Sequence, residues 1–154
     1  MSKTTISRLR TLDLFEGCSR AQLAKIDRLG ITLAFAPGRA LCVEGSPGAE
    51  FFVLLDGVVD VRTSSGTVAL LRPGSWFGEI ALIDKVARRA TVTTRSKSLL
   101  LVFGRREFNT LLAIAPHVRA RLQRSAAFFA AEPGSIRVRP LATDPSEALF
   151  RAAG

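Results

Sequence analysis

The chain has 154 residues, 47% hydrophobic and 23% charged, which suits one globular domain with a real core. No apolar run approaches the roughly 20 residues that span a bilayer, and the opening Met1-Ser2-Lys3-Thr4-Thr5 lacks the apolar core of a signal peptide, so a cytoplasmic protein without membrane insertion is expected. The net charge of +9 is concentrated, with ten basic and one acidic group between residues 85 and 124, and this points to an anionic partner near that stretch, small or polymeric.

Residues 3–30 are predicted to be helical. Leu9, Leu12, Leu14 and Phe15 lead into a second segment that Ser19 can N-cap, with Leu23, Ile26 and Leu29 at helical spacing and Gly30 as its stop. From Ile31 the texture changes to short β-rich runs: Ile31–Phe35, Ala40–Val43, Phe51–Leu55, Val58–Val61, Val68–Leu71, Ala90–Thr94 and Leu99–Phe103. Turn signals separate them at Pro37-Gly38, Gly45-Ser46-Pro47-Gly48, Asp56-Gly57, Ser64-Ser65-Gly66 and Pro73-Gly74. Short strands with this punctuation predict an antiparallel barrel or jelly roll over residues 31–104. Helical texture returns over 105–130, where Phe108, Leu111, Leu112 and Ile114 form one apolar set, Pro116 interrupts, and Val118, Leu122, Phe128 and Phe129 continue. Glu132-Pro133-Gly134 is expected to end the helix, dividing the chain into a domain over 1–130 and a tail over 131–154.

Cys18 and Cys42 are too few for a disulfide framework and match no metal spacing, so buried or half-buried thiols are expected. His117 is the only histidine and is expected at the surface; a single histidine argues against a metal-dependent barrel enzyme. No nucleophile has a matching base and orienting acid, so no catalytic residue or metal ligand is assigned and the enzyme class is set aside.

The informative segment is Gly74-Ser75-Trp76-Phe77-Gly78-Glu79-Ile80-Ala81-Leu82-Ile83, followed by Arg88-Arg89-Ala90-Thr91-Val92. Gly78 can take backbone angles closed to other residues and lets a ligand approach the main chain. Glu79 to Ile83 can form one helical turn whose free N–H groups face an anion. Arg88 supplies a fork of donors suited to phosphate. Glu79 is out of place beside a phosphate unless it binds something else, such as a sugar hydroxyl. A ligand carrying both a phosphate and a ribose hydroxyl resolves the conflict.

This segment resembles the phosphate-binding cassette of cyclic-nucleotide-binding domains, whose pattern is Phe-Gly-Glu-(Leu/Ile)-Ala-Leu, a short gap, then Arg-x-Ala-(Thr/Ser)-Val. Val43-Glu44-Gly45 and Phe52–Val61 resemble the family's early barrel strands, and Leu14-Phe15-Glu16-Gly17 its N-terminal helical bundle, so the likeness covers about residues 8–130. The resemblance implies a mainly β fold with flanking helices: a double-stranded β-helix (jelly-roll) barrel with N-terminal helices and C-terminal B- and C-type helices. It implies a ligand-binding set of Phe77, Gly78, Glu79, Ile80, Ala81, Arg88, Arg89, Ala90 and Phe129. Glu79 would accept the ribose 2′-hydroxyl and Arg88 would pair with the cyclic phosphate. Gly78, Ile80, Ala81 and Ala90 would offer backbone, while Phe77, Leu82 and Val92 are expected to pack and Thr91 to be a strand residue.

Arg89 departs from the family, which has a small residue there: Ala in cAMP-selective kinase subunits, Thr in cGMP-selective ones, Ser in the bacterial catabolite activator. Arg89 either points to solvent or doubles the charge at the phosphate; solvent is the expectation, because a second buried guanidinium would need its own partners. Phe129 either stacks on the base as a lid or belongs to the core face of its helix.

The expected function is a cyclic nucleotide sensor, cAMP ahead of cGMP, without its own catalytic or DNA-binding domain. It would switch by closure of its C-terminal helix and signal to an effector protein, with a second copy of the chain as a candidate partner and no cofactor beyond the nucleotide. Two other classes compete. A DNA-binding regulator would use Arg105, Arg106, Arg119, Arg121 and Arg124 against phosphates, but only about 24 residues follow the last helix, too few for a winged helix-turn-helix, so nucleic acid is not the expected partner. A protein-interaction module that has lost its ligand is the other, and intact Glu79 and Arg88 argue against it.

Overall fold

The computed structural model of the protein describes residues 3–66 and 68–130. The N-terminal helical region consists of α1 (Lys3–Arg10), a single 3-10 turn (Asp13–Phe15) and α2 (Arg20–Leu29). Ser19 caps α2 as its sequence position suggests: its hydroxyl accepts the Gln22 N–H at 3.1 Å while the Gln22 side-chain oxygen accepts the Ser19 N–H at 2.9 Å, a reciprocal capping box. Gly30 ends the helix in extended backbone, with φ −90°. What requires a glycine there is space, since a Cβ would sit 2.6 Å from a methyl of Leu101.

Eight strands follow: β1 (Ile31–Phe35), β2 (Ala40–Cys42), β3 (Glu50–Asp56), β4 (Val59–Arg62), β5 (Val68–Leu71), β6 (Trp76–Phe77), β7 (Thr91–Thr94) and β8 (Ser98–Gly104). The short helix α3 (Glu79–Asp84) separates β6 from β7, and α4 (Arg105–Ile114) and α5 (Pro116–Ala130) complete the described chain. The strands form two four-stranded antiparallel sheets, ordered β1-β8-β3-β6 and β2-β7-β4-β5. The fold is mainly β, a jelly roll with helices packed on one side.

Two apolar cores explain the strand sequences. Phe52, Leu54 and Leu100 face the second sheet, where Val59, Val61, Ala69, Leu71 and Val92 meet them. Phe51, Val53, Leu55, Leu101 and Phe103 face the helices, where Phe15, Leu23, Ile26, Phe108, Leu111, Val118 and Leu122 cover them. β3 and β8 are therefore apolar at nearly every position, because successive side chains enter different cores. β4 alternates in polarity, with Asp60 between Val59 and Val61, yet all three are buried, and the Asp60 carboxylate lies 3.7 Å from Arg62 Nε and 3.8 Å from Arg95 Nη1. Phe51 joins the layers: its ring centroid lies 5.8 Å from that of Phe103 and 5.1 Å from that of Phe108 on α4.

Pro116, expected to interrupt the helical stretch, opens α5, where its missing N–H costs nothing. The expected helix stop at Glu132-Pro133-Gly134 and the tail over 131–154 lie outside the described residues. His117 departs from expectation. It is half-buried, and its Nε2 is enclosed with no hydrogen-bond partner among the described residues. The cause is tertiary: the imidazole lies over Gly17, in the loop before α2, which offers no side chain to push it outward. Cys18 is half-buried and Cys42 buried, both as free thiols. Among the described residues no helix is long and apolar enough to cross a membrane.

Candidate ligand-binding site

The cassette is built as a strand, a hinge and a short helix. β6 pairs with β3 (Phe52 opposite Phe77, Val53 opposite Trp76), and the Phe77 ring stacks on Phe52 with centroids 4.8 Å apart. Phe77 is thus a packing residue, which anchors the segment to the barrel. Gly78 then turns the chain with φ +96°, the left-handed region that favours glycine. Even without that strain a Cβ there would meet the Glu50 carbonyl oxygen at 2.8 Å and Arg88 Nη1 at 2.9 Å. α3 starts at Glu79, so the first N–H groups of this helix lack intrahelical acceptors. Lys85, also left-handed at φ +55°, ends it.

Arg88 is 6% exposed. Its main chain is fixed against the Gly45-Ser46 turn, with the Arg88 N–H donating to Ser46 O at 2.8 Å and the Gly45 N–H to Arg88 O at 2.9 Å. Its guanidinium donates from Nη1 to Gly78 O at 3.1 Å and from Nη2 to Glu50 O at 2.9 Å. The Glu50 carboxylate lies 3.8 Å from Nη2. Guanidinium carries five N–H donors, so these contacts orient the fork while leaving it capacity for an anion. Gly48 closes the back of the site: a Cβ there would lie 3.0 Å from Arg88 Cζ and 2.6 Å from the Ala81 methyl.

Glu79 is 1% exposed, and its Oε2 accepts the Ser125 hydroxyl of α5 at 2.6 Å. Buried Arg88 and buried Glu79 thus belong to one short segment, beginning and following α3. The remaining expected site residues cluster with them: Ala81 and Ala90 are buried, Gly78, Ile80 and Arg89 half-buried. Arg89 is therefore neither fully turned to solvent nor enclosed. Leu82 and Val92 pack in the helix-side and barrel cores respectively, and Thr91 is in β7. Phe129 falls within α5, but its side chain lies outside the described residues.

Sequence reading missed Gly48, Glu50, Cys42 and Ser125. Gly48 read only as a turn residue. Glu50 acts chiefly through its backbone carbonyl, which no side-chain pattern announces. Ser125 did leave a signal, as a polar residue on the same helical face as Val118 and Leu122. The expected basic face also proves divided: Arg105 donates to Gly48 O at 2.7 Å, and Arg121 donates to Leu14 O at 2.9 Å and Glu16 O at 2.7 Å. Those guanidiniums join elements together, while Arg106, Arg119 and Arg124 are exposed.

The Cys42 thiol borders the site, and burial pushes its pKa from 9.0 up to about 11; nearby Arg88 opposes the rise, and Glu50 and Glu79 add to it. A raised folded-state value keeps stability intact below the unfolded value and loses it as pH climbs toward the folded one. Denaturant midpoints should accordingly fall between about pH 9 and about pH 11. Cys42→Ala should flatten that fall, and an unchanged slope in the variant would assign the alkaline loss to other groups.

The family described as cyclic nucleotide-binding domain matches residues 32–114. Among curated proteins, the chain is 31% identical over 110 residues to a cAMP-dependent protein kinase regulatory subunit of Schizosaccharomyces pombe, covering 71% of this chain and 27% of that protein. It is 30% identical over 113 residues to a cGMP-dependent protein kinase of Toxoplasma gondii, covering 73% of this chain and 11% of that one. The chain thus spans about a quarter or less of these relatives. Among solved structures, the Thermus thermophilus catabolite activator protein superposes with a TM-score of 0.68 at 26% identity, over 77% of this chain and 58% of that one. The regulatory subunit of a cAMP-independent protein kinase A from Trypanosoma brucei shares the fold, with a TM-score of 0.74 at 19% identity over 84% of this chain and 48% of that one.

Proposed function

We propose, because this chain belongs to the cyclic nucleotide-binding domain family, that it is a regulatory sensor of a cyclic nucleotide, with cAMP preferred to cGMP. The observation that carries the reading is the pairing, around one short helix, of a buried guanidinium and a buried carboxylate. Arg88 pairs with the cyclic phosphate through the N–H donors that its carbonyl contacts leave available. Glu79 accepts the ribose 2′-hydroxyl. Gly78, Ile80, Ala81 and Ala90 present backbone, and half-buried Arg89 adds positive charge at the rim. No cofactor takes part beyond the nucleotide.

The module works as a two-state switch. The phosphate draws α3 and Arg88 together, α5 closes toward the cassette, and Phe129 covers the base. A ligand shifts that balance only by its differential affinity for the closed arrangement. The closed surface then passes the signal to an effector protein or to a second copy of the chain, in the cytoplasm. The repeated likeness to proteins named for cAMP supports the preference for cAMP, and the match to cGMP-dependent kinases makes cGMP the necessary comparison.

Calorimetric titration with cAMP and then cGMP tests the reading. We expect one-to-one binding with a dissociation constant of about 1 µM or lower, equivalent to roughly 8 kcal/mol, and tighter for cAMP. Neither heat nor thermal stabilisation from either nucleotide would exclude a sensor and favour the interaction-module reading. Heparin retention lost at modest salt would then point to nucleic acid.

A further inference from the structure

Ser125 is a buried hydroxyl on an otherwise apolar helix face. Along α5, Val118, Leu122 and Ala126 are all buried, and Ser125, 8% exposed, lies among them. A hydroxyl withdrawn from water is costly unless it is bonded, and this one donates to Glu79 Oε2 at 2.6 Å across 46 residues of sequence. The bond is short and charge-assisted, of the stronger kind. It ties the C-terminal helix to the same carboxylate that the cyclic-nucleotide reading gives to the ribose.

On the basis of that reading, we propose that Ser125 determines how strongly the site responds to a ribose 2′-hydroxyl, because the two hydroxyls compete for the Glu79 carboxylate. Steric enclosure makes them compete. Glu79 is 1% exposed, so an incoming hydroxyl reaches its oxygens only if the carboxylate rotates or α5 moves aside. Either change breaks the 2.6 Å contact to Ser125. A ribonucleotide therefore exchanges one hydrogen bond for another and releases α5 at this point, freeing the end of the helix to move over the base. A 2′-deoxy nucleotide has no hydroxyl to offer and leaves the tether intact. Ser125 is thus a specificity-determining residue that touches the ligand only through Glu79.

The test titrates the full chain and its Ser125→Ala variant with cAMP and 2′-deoxy-cAMP. Removing the tether should tighten cAMP binding roughly tenfold while changing 2′-deoxy-cAMP binding by less than about twofold, so that discrimination between them widens. Ser125→Thr, which keeps the hydroxyl, should retain the parent ratio. An equal change for both nucleotides would reduce Ser125 to a packing role and overturn the proposal. A narrowed ratio would also overturn it, since Ser125 would then be supporting the ribose contact. If the parent chain bound neither nucleotide nor cGMP, the sensor reading itself would fall and this inference with it, an outcome distinct from the other two.

Discussion

Arg88→Ala is expected to weaken cyclic nucleotide binding by about 2–5 kcal/mol, roughly thirty- to several-thousandfold. The loss has two sources. The variant forfeits a charge-assisted contact to the phosphate from a residue that is only 6% exposed. It also leaves the Gly78 and Glu50 carbonyl oxygens without the donors that hold them at 3.1 and 2.9 Å, so the hinge before α3 loosens. Titration alone cannot separate the two, and thermal unfolding of the variant supplies the second measurement. Arg88→Lys sharpens the comparison: it keeps the charge but loses the planar fork that reaches both carbonyls, and should bind between parent and alanine variant. A folded Arg88→Ala protein that binds as tightly as the parent would refute the cassette assignment.

Phe51→Ala is expected to lower unfolding stability by about 3–5 kcal/mol, the range for truncating a fully buried phenylalanine. Phe51 is completely buried, belongs to the central strand β3, and contacts Phe103 on β8 and Phe108 on α4. The cavity left behind would lie between the helical layer and the sheet, where rigid secondary structure limits collapse. Urea unfolding monitored at Trp76 reads the change directly. A loss under about 1 kcal/mol would mean that the helices and sheet can repack without this residue. Because residue 50, its chain neighbour, supplies a carbonyl to Arg88, the variant should also bind nucleotide less tightly.

Much of the architecture was legible because its signals are local. The Ser19 cap, the Gly/Pro-punctuated strands and the turn at Gly78 into α3 each follow from short-range backbone chemistry, and the structure bears them out. Short β6 was not anticipated. Two residues are too few for a periodic pattern, and Trp76-Phe77 becomes a strand only because β3 lies alongside to pair with it. The exposed position expected for His117 failed for a related reason: the imidazole's surroundings come from the Gly17 loop, about a hundred residues away in sequence.

The amino-acid sequence by itself determined the helices, the barrel's strands other than β6, and the residue types of the cassette, since backbone preference, hydrophobic period and the Gly-Glu and Arg positions are properties of neighbouring residues. Tertiary structure decided what surrounds those groups. It placed the Glu50 carbonyl beneath Arg88, cleared room at Gly48 for the guanidinium, enclosed the Cys42 thiol beside it, and brought Ser125 from α5 onto Glu79. These contacts depend on how the layers pack, and hydrogen bonds between residues 38 or 46 positions apart leave no periodic trace in the chain.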